Sequence, residues 1–234
     1  MKHYTHFLVI FPGLAAMLLR FGIFALRIDH KGLLIPGGPM AAGVWICGIC
    51  ALALAFLCAR QTQGNRLGAS RLACCGYLAL AVGIALSLGS IPSLGTTLDK
   101  LRTVLGFAAA AALAVSAICR LRGKEVLFPL QAVPAAFLAI YPLSRFRIWS
   151  AEPQIQEHLF PLLGAISLML LFYQLLRFDA GSGSRRPLVA LGILAAFCCL
   201  TAAAHCEVPL LYLTGAFFAL ASLAPEKEAK YDPS

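Results

Sequence analysis

Residues Pro142–Pro161 read PLSRFRIWSAEPQIQEHLFP, a segment holding two arginines, two glutamates, two glutamines, a histidine and one of the chain's two tryptophans. Apolar sequence flanks it on both sides, from Val126 to Ser144 and from Leu159 to Leu176. A helix needs about 20 apolar residues to cross the hydrocarbon of a bilayer. Two such runs joined by a short polar segment read as a helical hairpin in lipid. The rest of the chain repeats that alternation. Of its 234 residues, 60% are hydrophobic and only 12% are charged, where a soluble domain carries about 25% charged residues. That is too little charge to solvate a globule. The expected fold is therefore all-α, a polytopic transmembrane helical bundle.

The apolar runs place spans at about 7–26, 40–59, 72–91, 101–119, 126–144, 159–176, 188–204 and 208–224, in a single membrane domain over residues 1–234. The last two are separated by His205-Cys206-Glu207 and Pro209, and read as two short spans or a re-entrant hairpin. Either option returns the chain to the same side. The first run is longer than a signal-peptide core and lacks a small-residue cleavage site, so it is expected to be retained.

The formal net charge of +9 raises the question of nucleic acid. The basic residues do not cluster, however; they punctuate the ends of apolar runs, as orientation in a membrane requires. No nucleic-acid partner is expected. Twelve basic residues fall on one side: Lys2, Arg60, Arg66, Arg71, Arg120, Arg122, Lys124, Arg177, Arg185, Arg186, Lys227 and Lys230. Six fall on the other: Arg27, Lys31, Lys100, Arg102, Arg145 and Arg147. Basic residues favour the cytoplasm, so both termini are expected there.

The polar residues left on the outer side are the candidates for chemistry. Gln154, Glu157 and His158 are spaced to share a face of a helix starting after Glu152-Pro153. Gly13, Ala16, Arg20 and Arg27 form one stripe of the first span, and small residues on such a stripe suggest a bundle-facing surface. Arg20 stands about 9 Å below the outer end of its span, close enough for its side chain to snorkel towards water. Arg20, Arg145, Arg147, Glu152, Glu157 and His158 together could line an outward-facing ligand site for an anionic group. The simpler reading is that connectors must be polar somewhere, with Pro153 in a first helical turn and Trp149 as an interfacial anchor.

Arg20-Phe21-Gly22-Ile23-Phe24 and Arg145-Phe146-Arg147-Ile148-Trp149 share the pattern R-F-x-I-aromatic four spans apart. A duplicated four-helix unit would produce it, and so would chance in a chain this rich in Phe and Ile.

Metal and catalytic signatures are lacking. No H-x-x-x-H or E-x-x-H pair occurs. Of nine cysteines, Cys47 and Cys50 have CxxC spacing, but mid-span and without a second pair, so packing is the expected role. There is no G-x-S-x-G, no Gly-rich phosphate loop and no intramembrane carboxylate pair. No metal or cofactor is expected, and the balance leans against an enzyme.

The stretch Asp29-His30-Lys31-Gly32-Leu33-Leu34-Ile35-Pro36-Gly37-Gly38-Pro39, with Arg145-Phe146-Arg147-x-Trp149 and Glu152-Pro153, resembles an uncharacterised family of bacterial multi-pass membrane proteins. The resemblance spans most of the chain. It implies a bacterial cytoplasmic membrane location and carries no activity. The functional expectation is then small-solute transport or capture, the lipid bilayer being the one partner implied directly. The alternative is a sensor or scaffold acting through helix–helix contacts.

Overall fold

The computed structural model describes residues 5–26, 38–62, 70–90, 95–122, 126–150 and 155–224. Among them are eight α-helices and no strand. A 3-10 turn, Thr5–Val9, leads into α1 (Ile10–Leu26). Then come α2 (Pro39–Gln61), α3 (Arg71–Ser90), α4 (Thr97–Leu121) and α5 (Phe128–Trp149). A second 3-10 turn, Ile155–His158, precedes α6 (Leu159–Asp179), followed by α7 (Arg185–Ala203) and α8 (Pro209–Ser222). Six helices are long and apolar enough to cross a membrane: α1 with its leading turn, α2, α3, α4, α6 and α7. This is an integral membrane helical bundle.

The two remaining helices depart from that pattern for separate reasons. α8 has 14 residues, about 21 Å at 1.5 Å per residue, short of a hydrocarbon core of about 30 Å. α5 is long enough at 22 residues, but Gln131, Arg145 and internal Pro134 and Pro142 dilute its apolar character. Each internal proline also removes a backbone donor and frees the carbonyl four residues earlier. The last apolar block is thus a pair of packed helices, the first of them full-length.

The helices sort by what they touch. α7 packs against α1, α2, α6 and α8, and among the described residues it presents no large hydrophobic side chain to the exterior. It is the centre of the bundle. The other helices turn large apolar side chains outward, including Phe11, Trp45, Val82, Phe107, Phe128, Ile166 and Phe217. An exterior this greasy is stable only against lipid. α3, α4, α5, α6, α7 and α8 touch in sequence and close a ring as α8 returns to α3, while α1 and α2 pack on α7 from outside.

Glycines set the closest approaches. A Cβ on Gly76 of α3 would meet the Ala221 Cβ at 2.8 Å and the Phe218 Cα at 3.2 Å, so α8 lies nearly in backbone contact there. The turn into α2 uses Gly38 at φ 97°, followed by Pro39 at the start of the helix.

The proposed duplication finds no echo in the packing. α1 and α2 both pack on α7, whereas their counterparts α5 and α6 have no such joint contact with α3.

Candidate functional site

Buried charge gathers at one end of the bundle, where α4 begins and α5 ends. Arg102 and Arg145 are each 1% exposed, and Arg20 is 4% exposed. Their positions follow from local sequence. Thr96 caps α4, its hydroxyl accepting from the Asp99 N–H at 3.2 Å, while the Asp99 carboxylate accepts from the Thr96 N–H at 3.3 Å. This capping box fixes Asp99, whose other oxygen lies 3.1 Å from Nη1 of Arg102, one turn on. The same Nη1 donates to the Ser144 hydroxyl of α5 at 3.4 Å. Arg102 therefore ties the start of α4 to the end of α5.

The apolar run of α5 was expected to stop near Ser144, but the helix continues to Trp149. Arg145 consequently lies on the helix rather than in a connector, and it pairs with Glu207 from the α7–α8 connection. Glu207 retains 28% side-chain exposure against 2% for Arg145, so the carboxylate reaches in from the surface. Arg145, Tyr141 and Glu207 all lie within electrostatic range of Arg102. Beneath them Tyr212 donates to the Pro161 carbonyl at 2.9 Å.

Arg20 occupies a different niche. The buried residues of α1 are Gly13, Ala16 and Arg20, the stripe that small-residue spacing indicated; Arg27 lies outside the described residues. Its guanidinium does not snorkel to water. It donates to the Thr201 carbonyl at 3.1 Å and to the Glu157 carbonyl, with the rings of Phe160 and Phe24 at 5.0 and 5.6 Å. One side chain thus bridges α1, α7 and the turn before α6.

Glu157 and His158 stand on that 3-10 turn and not on an α-helical face, so they diverge. The Glu157 carboxylate approaches the His205 imidazole at 3.9 Å, and His205 stacks on Phe24 at 3.6 Å. His158 stacks on Trp149 with centroids 4.9 Å apart. Trp149 is 3% exposed, with Tyr141 edge-on at 6.4 Å, and is no interfacial anchor. Of the six residues singled out in sequence, Arg20 and Glu157 come together through a backbone carbonyl. Arg145 and His158 border Trp149's neighbourhood from α5 and from the 3-10 turn. The Arg147 side chain and Glu152 lie outside the described residues, as do Gln154, Asp29 and His30.

No family model, curated protein or solved structure matches the chain. The site must be read from its own chemistry.

Sequence reasoning placed Asp99 on the outer side but missed Arg102, Ser144 and Tyr141 as its neighbours in a site at this end. The Thr96-x-x-Asp99 capping box with Arg102 three residues later was the available signal. It also missed the opposite end. There Arg120 pairs with Asp179 at 3.2 Å and lies 5.3 Å from the Tyr77 ring, and Gln131 donates to the Tyr77 hydroxyl at 2.9 Å. Among the described residues no three His, Cys, Asp or Glu side chains are grouped to hold a metal. The nine cysteines are free thiols. In the α7–α8 connection, burial pushes the Cys206 thiol up to about 11, opposed by the Val208 backbone N–H and by Arg20.

Proposed function

We propose that this protein captures a small anionic solute at the arginine-bearing end and passes it across a bacterial cytoplasmic membrane. Three guanidiniums on three helices, none more than 4% exposed, carry the reading. A charged arginine within a span carries a penalty of about 2.5 to 3.5 kcal/mol on insertion scales. Hydrophobic side chains of similar volume would hold the same helices together as well or better. Three such charges at one end of the bundle fit a binding role. Arg145 is the entry point, because its counter-ion Glu207 comes from a partly exposed connector and can be exchanged for a carboxylate or other anion. Arg20 shapes the neighbouring wall through the Glu157 carbonyl, and His158 stands beside it against Trp149; the sequence reading adds Arg147 and Glu152, outside the described residues, to the same site.

Orientation supports an outward opening. Of the six basic residues counted on this side, Arg102 and Arg145 are buried in ion pairs. They add nothing to the exposed charge that holds a segment in the cytoplasm, so the opposite side gains the greater basic excess.

A scaffold or sensor is the second reading. One observation favours it: Arg102 and Arg145 already have carboxylate partners, and Arg20 has two carbonyls. Melting of the detergent-purified protein across a panel of anions separates the two, since a ligand stabilises the folded state by RT ln(1 + [L]/Kd). Under the capture reading, Glu207→Gln removes the internal competitor and tightens binding, whereas Arg145→Gln abolishes it. A scaffold melts at one temperature in every solute, and the Glu207→Gln protein is merely less stable.

A further inference from the structure

The end of the ring opposite the arginine site is tied by side chains that each skip a helix. Arg120 of α4 pairs with Asp179 of α6 at 3.2 Å, bypassing α5. Gln131 of α5 donates to the Tyr77 hydroxyl of α3 at 2.9 Å, bypassing α4. Neither α4 with α6 nor α3 with α5 is among the helix pairs that pack together. These bonds therefore run across the ring and not along its wall. Tyr77 is where they meet. The Arg120 guanidinium lies 5.3 Å from its ring, and the same ring stands edge-on to Phe218 of α8, which stacks on Phe172 of α6.

What these bonds hold is loosely packed. From Leu127 to Val133 only Gln131 is buried, and Leu127 and Phe128 are 71% and 61% exposed. Pro134 follows at once. It has no N–H to give the Leu130 carbonyl, so the first turns of α5 are joined to the rest of the helix by one bond fewer. Helices bend at such residues. The closed arrangement is also incompletely satisfied: Gln131 Oε1 and Arg120 Nε are buried without a partner. Turning the Gln131 amide over exchanges the orphaned atom and does not remove it. Water can meet the amide once α5 swings out. Segments with few buried contacts open first, and unmade bonds at buried groups lower the cost of opening further.

We propose that Gln131, Tyr77, Arg120 and Asp179 form a latch, and that the first turns of α5, residues 128–133, swing about Pro134 to open this end of the ring. The latch gives a captured solute its exit, and in that role it rests on the reading of passage across the membrane.

Cys74 of α3 reports on the latch. It is 2% exposed, one turn before Tyr77 and within electrostatic range of Arg120. Cys199 is equally buried but lies towards the other end of α7, against the Gly164 carbonyl. Two single-cysteine proteins, retaining Cys74 or Cys199, are purified in detergent and labelled with N-ethylmaleimide at constant pH without solute. Gln131→Leu strands the Tyr77 hydroxyl in the closed form. Asp179→Asn weakens the ion pair and leaves the Arg120 charge beside Cys74. Each should speed labelling of Cys74 about threefold to tenfold, the range for one lost hydrogen bond, while Cys199 keeps its parent rate. Pro134→Ala restores the donor to the Leu130 carbonyl and should slow Cys74 at least about threefold, by the same measure. An unchanged Cys74 rate in either latch variant overturns the proposal, and so does a matching rise at Cys199, which would mean that the whole bundle loosens. Should Gln131→Leu fail to fold, Asp179→Asn and Pro134→Ala carry the test. A Pro134→Ala protein that labels as fast as the parent overturns the hinge. Because no solute is present, failure here leaves the anion melting result standing. A latch that opens as expected beside flat melting in every anion ends the capture reading and the exit role, and keeps the opening itself.

Discussion

Replacing Asp99 by asparagine tests the arrangement at its best-determined point. Asp99 and Arg102 have side-chain exposures of 3% and 2%, so the ion pair is screened by neither water nor salt. Asparagine is close in shape and keeps an oxygen for the Thr96 N–H, so the capping contribution of about 1 kcal/mol is largely retained. What disappears is the counter-charge. Breaking a buried pair from one side typically destabilises by about 3–5 kcal/mol, because the remaining charge is left uncompensated. The reverse substitution, Arg102→Met, should be milder. A stranded carboxylate can take up a proton and become neutral, which a guanidinium cannot do. The double variant Asp99→Asn/Arg102→Met removes both charges and should recover to within about 1 kcal/mol of the parent, as apolar replacements of buried pairs often do. Unfolding in mixed micelles followed by circular dichroism gives all three values and their coupling. If Asp99→Asn changes stability by less than about 0.5 kcal/mol, the ordinary range for surface substitutions, Arg102 is not confined as described. The tie it makes between α4 and α5 would then have to go.

Other consequences can be checked one by one. Gly76→Val should push α8 away from α3, since Ala221 and the Phe218 backbone leave no room, with a loss of about 1–3 kcal/mol. Gly89→Ala, with nothing within 4 Å, should be neutral or stabilising by up to about 1 kcal/mol. Melting temperatures of the two purified variants decide it. Cys206 should resist maleimide near pH 8 and react steadily faster towards pH 11, because its thiol is held up to about 11. The sign for stability follows: the folded state keeps this proton after the unfolded chain has lost it, so stability falls as pH climbs from about 9 to about 11. A labelling rate at pH 8 equal to that of a free thiol contradicts this. For orientation, a periplasm-restricted thiol probe should modify Ala151→Cys and spare Ser182→Cys in a background without native cysteines. The opposite pattern inverts the topology.

The helices were legible because span length and apolarity are local properties. Thr97–Leu121 and Leu159–Asp179 contain the expected runs and extend them by at most four residues at an end. The site was less legible because it is made of contacts distant in sequence. Arg145 looks like a connector residue, yet α5 runs past it and Glu207, 62 positions away, pairs with it. Arg20 reads as a snorkelling arginine until carbonyls 137 and 181 positions away satisfy it. Trp149 resembles an interfacial anchor by composition, yet His158 covers it. Glu157 and His158 share a helical face on paper and diverge in space because the chain enters α6 through a 3-10 turn, which has a different period. Only Arg102 was within reach of local reading, through the capping box that orders Asp99 beside it.

The placement of Glu207 also predicts where this end gives way. Arg102 is closed by a carboxylate from its own helix, one turn away and almost wholly buried, so that pair cannot part without unwinding the start of α4. Arg20 is gripped by main-chain carbonyls of two separate elements. Arg145 pairs with a side chain from a short connection, residues 204–208, whose His205 and Glu207 face outward. Local openings draw on segments with few buried contacts. The amides of residues 204–207 should therefore exchange hydrogen well before those of α7 or the first turns of α4, and Glu207→Gln should accelerate that exchange without affecting α4. Uniform exchange across the three segments, or acceleration that spreads into α4, would mean that this end of the bundle opens as a block and that Glu207 is no gate.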